Sequence, residues 1–316
     1  MKQKRFVSPA VSLIFLMSVL SMGNLFAQKA PKESPASDFK YDLNKAGDGV
    51  IILGYRGKGG DVVIPSEIEG LSVLEFSANS YDGFAKAPIT SIIFPDSITI
   101  IYADKTFVTK SLGGTEYSFD ENKTLKKVVF PKKLKKIPDS MFYQCINLSD
   151  ITWPEELEII GTKDSGSLGA FEKTGVKEIN FPQTLKEIGV NSFSDCCKLT
   201  SVTFQDNIEI IHSSAFMNTS IKTFILPDSL KEIGYAAFKN CKELESITIG
   251  NGIEFIDDYA FADCKKLTTV NIPEKSISYT KKPWLRMQTY DNFSGCDKLG
   301  LKERKKIKDT GYKGQF

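Results

Sequence analysis

The chain has 316 residues, 41% of them apolar and 25% charged, with a formal net charge of +2. These proportions are those of a soluble folded protein. The near-neutral balance excludes the basic footprint of a nucleic-acid binder. The length would hold two ordinary domains, but an internal repeat overrides that division.

In chain order, Met1 to Arg5 supplies a positive start, and Phe6 to Leu20 is mostly apolar. Leu25-Phe26-Ala27 then offers cleavage after Ala27. This is the pattern of a secretory signal peptide over residues 1–27. Pro9, Ser21, Gly23 and Asn24 leave the apolar core short for a membrane span. No second apolar run of spanning length follows, so the mature chain is expected to carry no integral membrane segment. No Cys lies near the cleavage point to take a lipid anchor. Removal of Lys2, Lys4 and Arg5 leaves 38 basic against 39 acidic side chains. Residues 28–37, with two Pro and two Ser, read as a flexible, disordered linker. Residues 38–88 read as an N-terminal β cap and a first irregular repeat.

From residue 89 to 298 a unit of 23 residues recurs about eight times. Its starts fall at Ile89, Leu125, Leu148, Val176, Leu199, Ile221, Leu244 and Leu267, spaced by 36, 23, 28, 23, 22, 23 and 23 residues. Self-similarity at this period means a stacked solenoid, in which no repeat buries its apolar face alone. Ile247 and Ile249 point inward from a short strand, and Ser246 and Thr248 point outward, as period two requires. Pro follows the strand at 95, 131, 154, 182, 227 and 273 and ends ladder pairing, since it has no N–H to donate. An apolar pair such as Leu185 and Ile188 begins the return side. Gly161, Gly189 and Gly234 then serve a turn needing unusual dihedrals. Phe recurs at 119, 142, 171, 193, 216, 238, 261 and 293, one aromatic per level, and should stack into a spine.

The expected fold is therefore a β-rich leucine-rich-repeat solenoid. One wall is a parallel sheet, the return side is short loop or 3-10 turn, and the stack curves as a right-handed arc behind an N-terminal β cap.

Three residues after each Phe stands a small hydrogen-bonding residue: Asn122, Cys145, Thr174, Cys196, Thr219, Cys241, Cys264 and Cys296. Six cysteines in an exported chain would suggest disulfides. Five of them occupy this one slot, however, where Thr and Asn replace Cys, and ladder side chains run parallel instead of meeting. The expectation is a structural ladder of reduced, buried thiols, with Cys197 outside the slot as the exposed one.

With the period, the Pro, the Ala-Phe pair and the Cys/Asn/Thr slot in register, the chain resembles the BspA-like, treponemal-type leucine-rich-repeat family over about residues 47 to 298. The stretch from Gly54 to Pro65 and from Ile68 to Val73 is similar to that family's N-terminal cap hairpin. The resemblance implies an exported or surface protein, and some members act as adhesins toward host matrix, host cells or other bacteria. It carries over no catalytic residue. The chain departs from the pattern by about 13 extra residues between Ile101 and Phe119, about 6 between Trp153 and Phe171, and about 9 between Ile272 and Phe293.

No enzyme is expected. His212 stands alone, without a recognisable Ser-His-Asp or Cys-His pattern, at the place of Gly189 and Gly234, and reads as a turn residue. Nothing suits a metal or a cofactor. Gly57-Lys58-Gly59-Gly60 is followed by strand where a phosphate loop needs a helix, so it reads as a hairpin turn. Lys302, Arg304, Lys305, Lys306 and Lys308, within 299–316, read as a basic C-terminal cap or tail.

Two surfaces remain for protein partners. The sheet face presents Lys127, Asp150, Thr152, Glu178, Asn180, Ser201, Thr203, Thr223, Ser246, Thr248, Thr269 and Asn271, together with Ser91, Ile93, Val129 and Ile225. It lacks the Trp, Tyr and Arg in which binding energy concentrates. The late insertion carries Tyr279, Trp284, Arg286, Met287 and Tyr290, and the early one Tyr102, Phe107 and Tyr117; this is the composition of interface cores. Either insertion could instead cap the stack. The partners expected are host extracellular matrix or cell-surface proteins, or other bacterial proteins, with no nucleic acid. Two functions stay open: an adhesin, and a periplasmic scaffold or assembly protein with bacterial partners and no host ligand.

Overall fold

The structure, a computed structural model, describes residues 31–77, 83–102, 119–163, 168–279 and 291–316. The chain divides into two units, Met1–Lys32 and Glu33–Phe316. The expected signal peptide lies outside the described residues. So do most of the three insertions, with Trp284, Arg286 and Tyr290 among them.

Glu33–Phe316 contains a parallel β-solenoid of about nine turns. Its front wall is made of Gly60–Val63, Ile89–Ile93, Lys127–Val129, Asp150–Thr152, Glu178–Asn180, Ser201–Thr203, Thr223–Leu226, Ser246–Ile249 and Thr269–Asn271. Each strand is short because Pro or a turn follows it. Pro95, Pro131, Pro182 and Pro227 turn their carbonyls back to accept the N–H three residues on, from Ile98, Leu134, Leu185 and Leu230. The missing proline N–H and the fixed φ thus both work at this corner.

The return side, expected as loop, carries a second parallel ladder. Lys136–Ile137, Ile159–Ile160, Glu187–Ile188, Ile210–Ile211, Glu232–Ile233 and Phe255–Ile256 pair in order. At its N-terminal end Val50–Tyr55, Leu71–Ser77 and Ile100–Tyr102 pair in parallel, and Phe39–Leu43 closes the edge as an antiparallel hairpin with Val50–Tyr55. A pair of apolar residues was enough to mark this side in sequence, but not to show that its backbone pairs.

The stretch 57–60 is not a hairpin turn. Val50–Tyr55 belongs to the return ladder and Gly60–Val63 to the front wall, so these residues carry the chain around a corner. Gly59 has φ of +87°, and a Cβ there would stand 2.7 Å from the carbonyl oxygen of Pro88. Gly189 and Gly234 also serve closeness, not a left-handed turn. A Cβ on Gly234 would meet the His212 carbonyl carbon at 2.7 Å, and only Gly161 of the three has a positive φ, at +74°.

The described part of the linker is ordered. The Ser34 N–H donates to the Val63 carbonyl at 2.9 Å, and Ser34 Oγ accepts from the Val63 N–H at 3.1 Å. This covers the open edge of the first front strand. At the other end the helix Leu301–Asp309 buries Ile307, while Tyr312 packs edge-on against Phe293 at 5.5 Å.

The phenylalanine spine stacks at 5.2–5.7 Å from Phe119 to Phe293 with planes within 19° of parallel. A second aromatic column, Phe94, Phe130, Trp153, Phe181 and Phe204, runs beside it with centroids 5.6–6.5 Å apart, and Phe224, two residues earlier in its unit, continues it 6.4 Å from Phe204. Its members meet the spine edge-on, as Phe224 meets Phe238 at 4.5 Å. Two interlocked columns fill the core at every level from Phe94 to Phe224.

A third column lies on the return wall. Lys135, Glu158, Lys186, Glu209, Lys231 and Glu254 alternate in sign level by level. Glu158 takes Lys135 at 3.4 Å and Lys186 at 2.8 Å, and Glu209 takes Lys231 at 2.7 Å. The hydrogen bond from Lys186 holds the Glu158 carboxyl below its ordinary range, and that from Lys231 does the same for Glu209. Stacking by one level always sets opposite charges together, so the column opposes pairings that bring like charges into contact.

Lys186→Glu therefore places three carboxylates in succession. Its expected result is a lower melting temperature than wild type, with a gap that narrows in high salt. Depressed carboxyls contribute stability above their unfolded pKa and lose it as pH falls through the folded value. The gap should therefore also close on acidification through the carboxylate range. Thermal melts of both chains across pH and salt check this, and a gap insensitive to both would rule the column out.

Candidate partner-binding wall and the ladder behind it

On the front wall the outward side chains stand where period two puts them. Lys127, Asp150, Thr152, Glu178, Asn180, Ser201, Thr203, Thr223 and Asn271 are exposed, while Ser246, Thr248 and Thr269 are half-buried. Ser91 is buried and donates to Asp61 at 2.7 Å. Side chains bond along the stack: Lys127 to Asp150 at 3.1 Å, Ser246 to Thr223 at 3.2 Å, and Asn271 to Thr248 at 3.1 Å. Such bonds hold rotamers in place before a partner arrives. Ile225 is the wall's apolar exception, 67% exposed. Near the last levels a cleft of about 730 Å³ opens between Asn251, Pro273 and Lys275 and the helix residues Lys306 and Asp309.

Tyr279 does not belong to an exposed surface. It is 4% exposed, its hydroxyl shares a 2.6 Å hydrogen bond with Thr310, and its ring lies 5.3 Å from Tyr312. Burial pushes its phenol up to about 12. It ties the last level to the C-terminal cap.

Behind the wall, the slot residues Asn122, Cys145, Thr174, Cys196, Thr219, Cys241, Cys264 and Cys296 form one buried column. Each cysteine thiol reaches the phenylalanine carbonyl of the preceding level. Cys145 bonds Phe119 at 2.9 Å, Cys196 bonds Phe171 at 3.2 Å, Cys241 bonds Phe216 at 3.2 Å, Cys264 bonds Phe238 at 3.3 Å and Cys296 bonds Phe261 at 3.1 Å. The carbonyls of Phe119, Phe171 and Phe238 also accept an N–H from their own level, from Asn122, Thr174 and Cys241, so both lone pairs are used there. Asn122 spans the irregular first level, donating to Phe84 and Ala87 at 2.9 and 3.0 Å.

All six cysteines are free thiols and Cys197 is the exposed one. Burial pushes Cys196 up to about 12 and raises Cys145 further, which removes the reactive thiolate. Native protein is expected to give one equivalent with a thiol reagent and denatured, unreduced protein six. Far fewer on denaturation would mean disulfides.

Thr174 and Thr219 mark a feature that reading single units missed. Their corners are one residue shorter than the cysteine corners, with two residues instead of three to the next unit start. At those corners the front wall divides into separate sheets: Glu178–Asn180 pairs only with Ser201–Thr203, and Thr223–Leu226 begins a new sheet. The front wall is thus divided into sheets of four, two and three levels.

His212 is half-buried, with Nε2 3.4 Å from a Glu187 carboxylate oxygen. Among the described residues no group of three His, Cys, Asp or Glu is placed to hold a metal ion. No helix among them is long and apolar enough to cross a membrane.

Stacked levels with a parallel front ladder, an aromatic spine and a Cys/Thr/Asn slot define a leucine-rich-repeat solenoid, a protein-interaction scaffold. The chain belongs to the BspA-type leucine-rich repeat family, whose model matches residues 77–164 and 167–284 in six copies. Among solved structures, it is similar to the T. pallidum leucine-rich repeat protein at 26% identity, over 90% of this chain and 99% of that one, with a TM-score of 0.46. It is similar to a leucine-rich repeat protein from Bacteroides ovatus at 20% identity, over 85% and 81%, with a TM-score of 0.41. It is also similar to a leucine rich cell surface protein from Faecalibacterium prausnitzii at 18% identity, over 90% and 99%, with a TM-score of 0.30. No curated protein matches.

Proposed function

We propose that the chain is exported and that its front wall binds a protein partner, as an adhesin toward host matrix, host cells or other bacteria. The observation that carries this is the wall itself. Strands stacked level on level from Gly60 to Asn271 display a row of small polar side chains, several already bonded to one another. A partner laid along it would lose its own freedom, but the wall would lose little, because the stack is preorganised. With few hot-spot residues on the face, the contact is extended and of modest strength. The late insertion, with Trp284, Arg286 and Tyr290, would add anchoring side chains.

Two measurements test this together. Intact cells are treated with protease, with a periplasmic protein as control, and adhesion is measured for wild type and for Thr203→Lys/Thr223→Lys. Cleavage in intact cells, with adhesion lost in the folded variant, supports the proposal. Protection until the envelope is permeabilised would sink the adhesin reading and point to a scaffold with bacterial partners.

A further inference from the structure

We propose that the column of residues just ahead of the front strands binds a linear glycan carrying one carboxylate on every second sugar ring. The proposal does not depend on a protein partner. The column reads Lys126, Ser149, Lys177, Thr200 and Lys222, so cation and hydroxyl alternate level by level. Backbone bonds join each lysine's level to the next: the Ser149 N–H donates to Lys126 at 3.1 Å, Thr200 to Lys177 at 2.9 Å and Glu245 to Lys222 at 2.8 Å. All three lysines are exposed.

The neighbouring Lys127 is already taken by Asp150 at 3.1 Å. Lys126 and Lys177 form no ion pair among the described residues. Lys222 helps hold down the Glu243 carboxyl, whose own hydrogen bond goes to Lys266 at 2.6 Å.

The spacing selects the ligand. One lysine at every second level, with the spine rings of these levels 5.3–5.7 Å apart, puts cations about 11 Å apart. That is the run of two sugar rings in an extended chain. Duplex DNA carries a charge about every 1.7 Å and is far too dense. Asp150 and Glu178 stand beside the column and Glu245 follows Lys222 within it, and these carboxylates would repel a heavily sulfated chain. Between the lysines, Ser149 and Thr200, with Ser201 and Thr223 alongside, offer hydroxyls to the neutral ring. Among the described residues no aromatic side chain projects from this face to stack on a sugar, so attraction is mostly electrostatic and screened by salt.

The test is calorimetric titration of the mature chain with a hyaluronan decasaccharide, whose rings alternate uronate and neutral sugar, and with a neutral chitin oligosaccharide of similar length. Hyaluronan should bind, more weakly as salt rises, and the neutral chain should not. Lys126→Gln/Lys177→Gln/Lys222→Gln should lose about tenfold in affinity, from three exposed charge contacts. Lys133→Gln/Lys136→Gln/Lys298→Gln removes the same charge from lysines off the column and should stay within about twofold of wild type. No binding by wild type, equal loss in both variants, or equal binding of the neutral chain would overturn the proposal.

Discussion

Phe216→Ala should cost about 3–5 kcal/mol of stability, the range for deleting a fully buried aromatic ring. The ring is wholly buried. It stacks on Phe193 at 5.5 Å and Phe238 at 5.7 Å, and takes Phe204 and Phe224 edge-on at 5.9 and 5.6 Å. All four neighbours lose a face, and rings held by neighbours above and below cannot collapse into the gap. In a solenoid each level contacts only adjacent levels, so a hole at mid-stack weakens the coupling of one half to the other. Urea unfolding should therefore shift and also lose sharpness, with a smaller apparent m-value as two-state behaviour fails. Phe316→Ala removes a half-buried ring from the C-terminal cap and should shift the curve less, without broadening it. A cost under about 1 kcal/mol at Phe216 would mean that the spine is not what couples the levels.

The spine was legible because every level offers the same buried place and the same residue fills it. The slot was legible for a related reason: Asn, Cys and Thr differ in name but share size and hydrogen-bonding capacity. The second aromatic column stayed hidden because its place, Phe at 94, 130, 181 and 204, also takes Trp153, Leu226, Ile249 and Ile272, so the letter does not hold through the whole stack. The alternation of Lys135, Glu158, Lys186 and Glu209 stayed hidden because it has twice the period of the unit, and surface positions are fixed by the level next door instead of by burial. Ser34 could not be placed from composition, since its order comes from one strand edge far along the chain. Tyr279 looked like an anchor by residue type; its burial follows from the C-terminal cap folding back over the last level, a contact with no local signal. Gly189 and Gly234 were read as turn glycines because sequence shows that a side chain is missing, not whether dihedral or distance demanded it.

That last distinction yields the second large effect. Gly252→Ala should destabilise by about 3 kcal/mol, at the upper end for forcing atoms into a packed site. A Cβ on Gly252 would stand 1.8 Å from the carbonyl oxygen of Asp228 and 2.9 Å from its carbonyl carbon. Its φ is not in the left-handed region, so the demand is closeness alone. The obstacle is backbone, and it is pinned: the Leu230 N–H bonds Pro227, and the Asp228 carboxylate takes the Asn251 N–H at 2.6 Å. Sister levels carry Lys133, Glu156, Thr184, Asn207 and Ser229 at this place, so a side chain is compatible with the corner in general. What differs at this level is Gly250, two residues earlier, standing where most levels have Pro. A Cβ on Gly250 would itself lie 2.4 Å from Pro227, so the two levels are drawn together along this whole turn. Gly47→Ala is the control, because its φ is +74° but nothing lies within 4 Å of an added Cβ. It should cost no more than the roughly 1 kcal/mol of a strained dihedral. Equilibrium unfolding of both variants separates the causes. A Gly252→Ala chain no less stable than Gly47→Ala would show that this pair of levels can spread apart without loss.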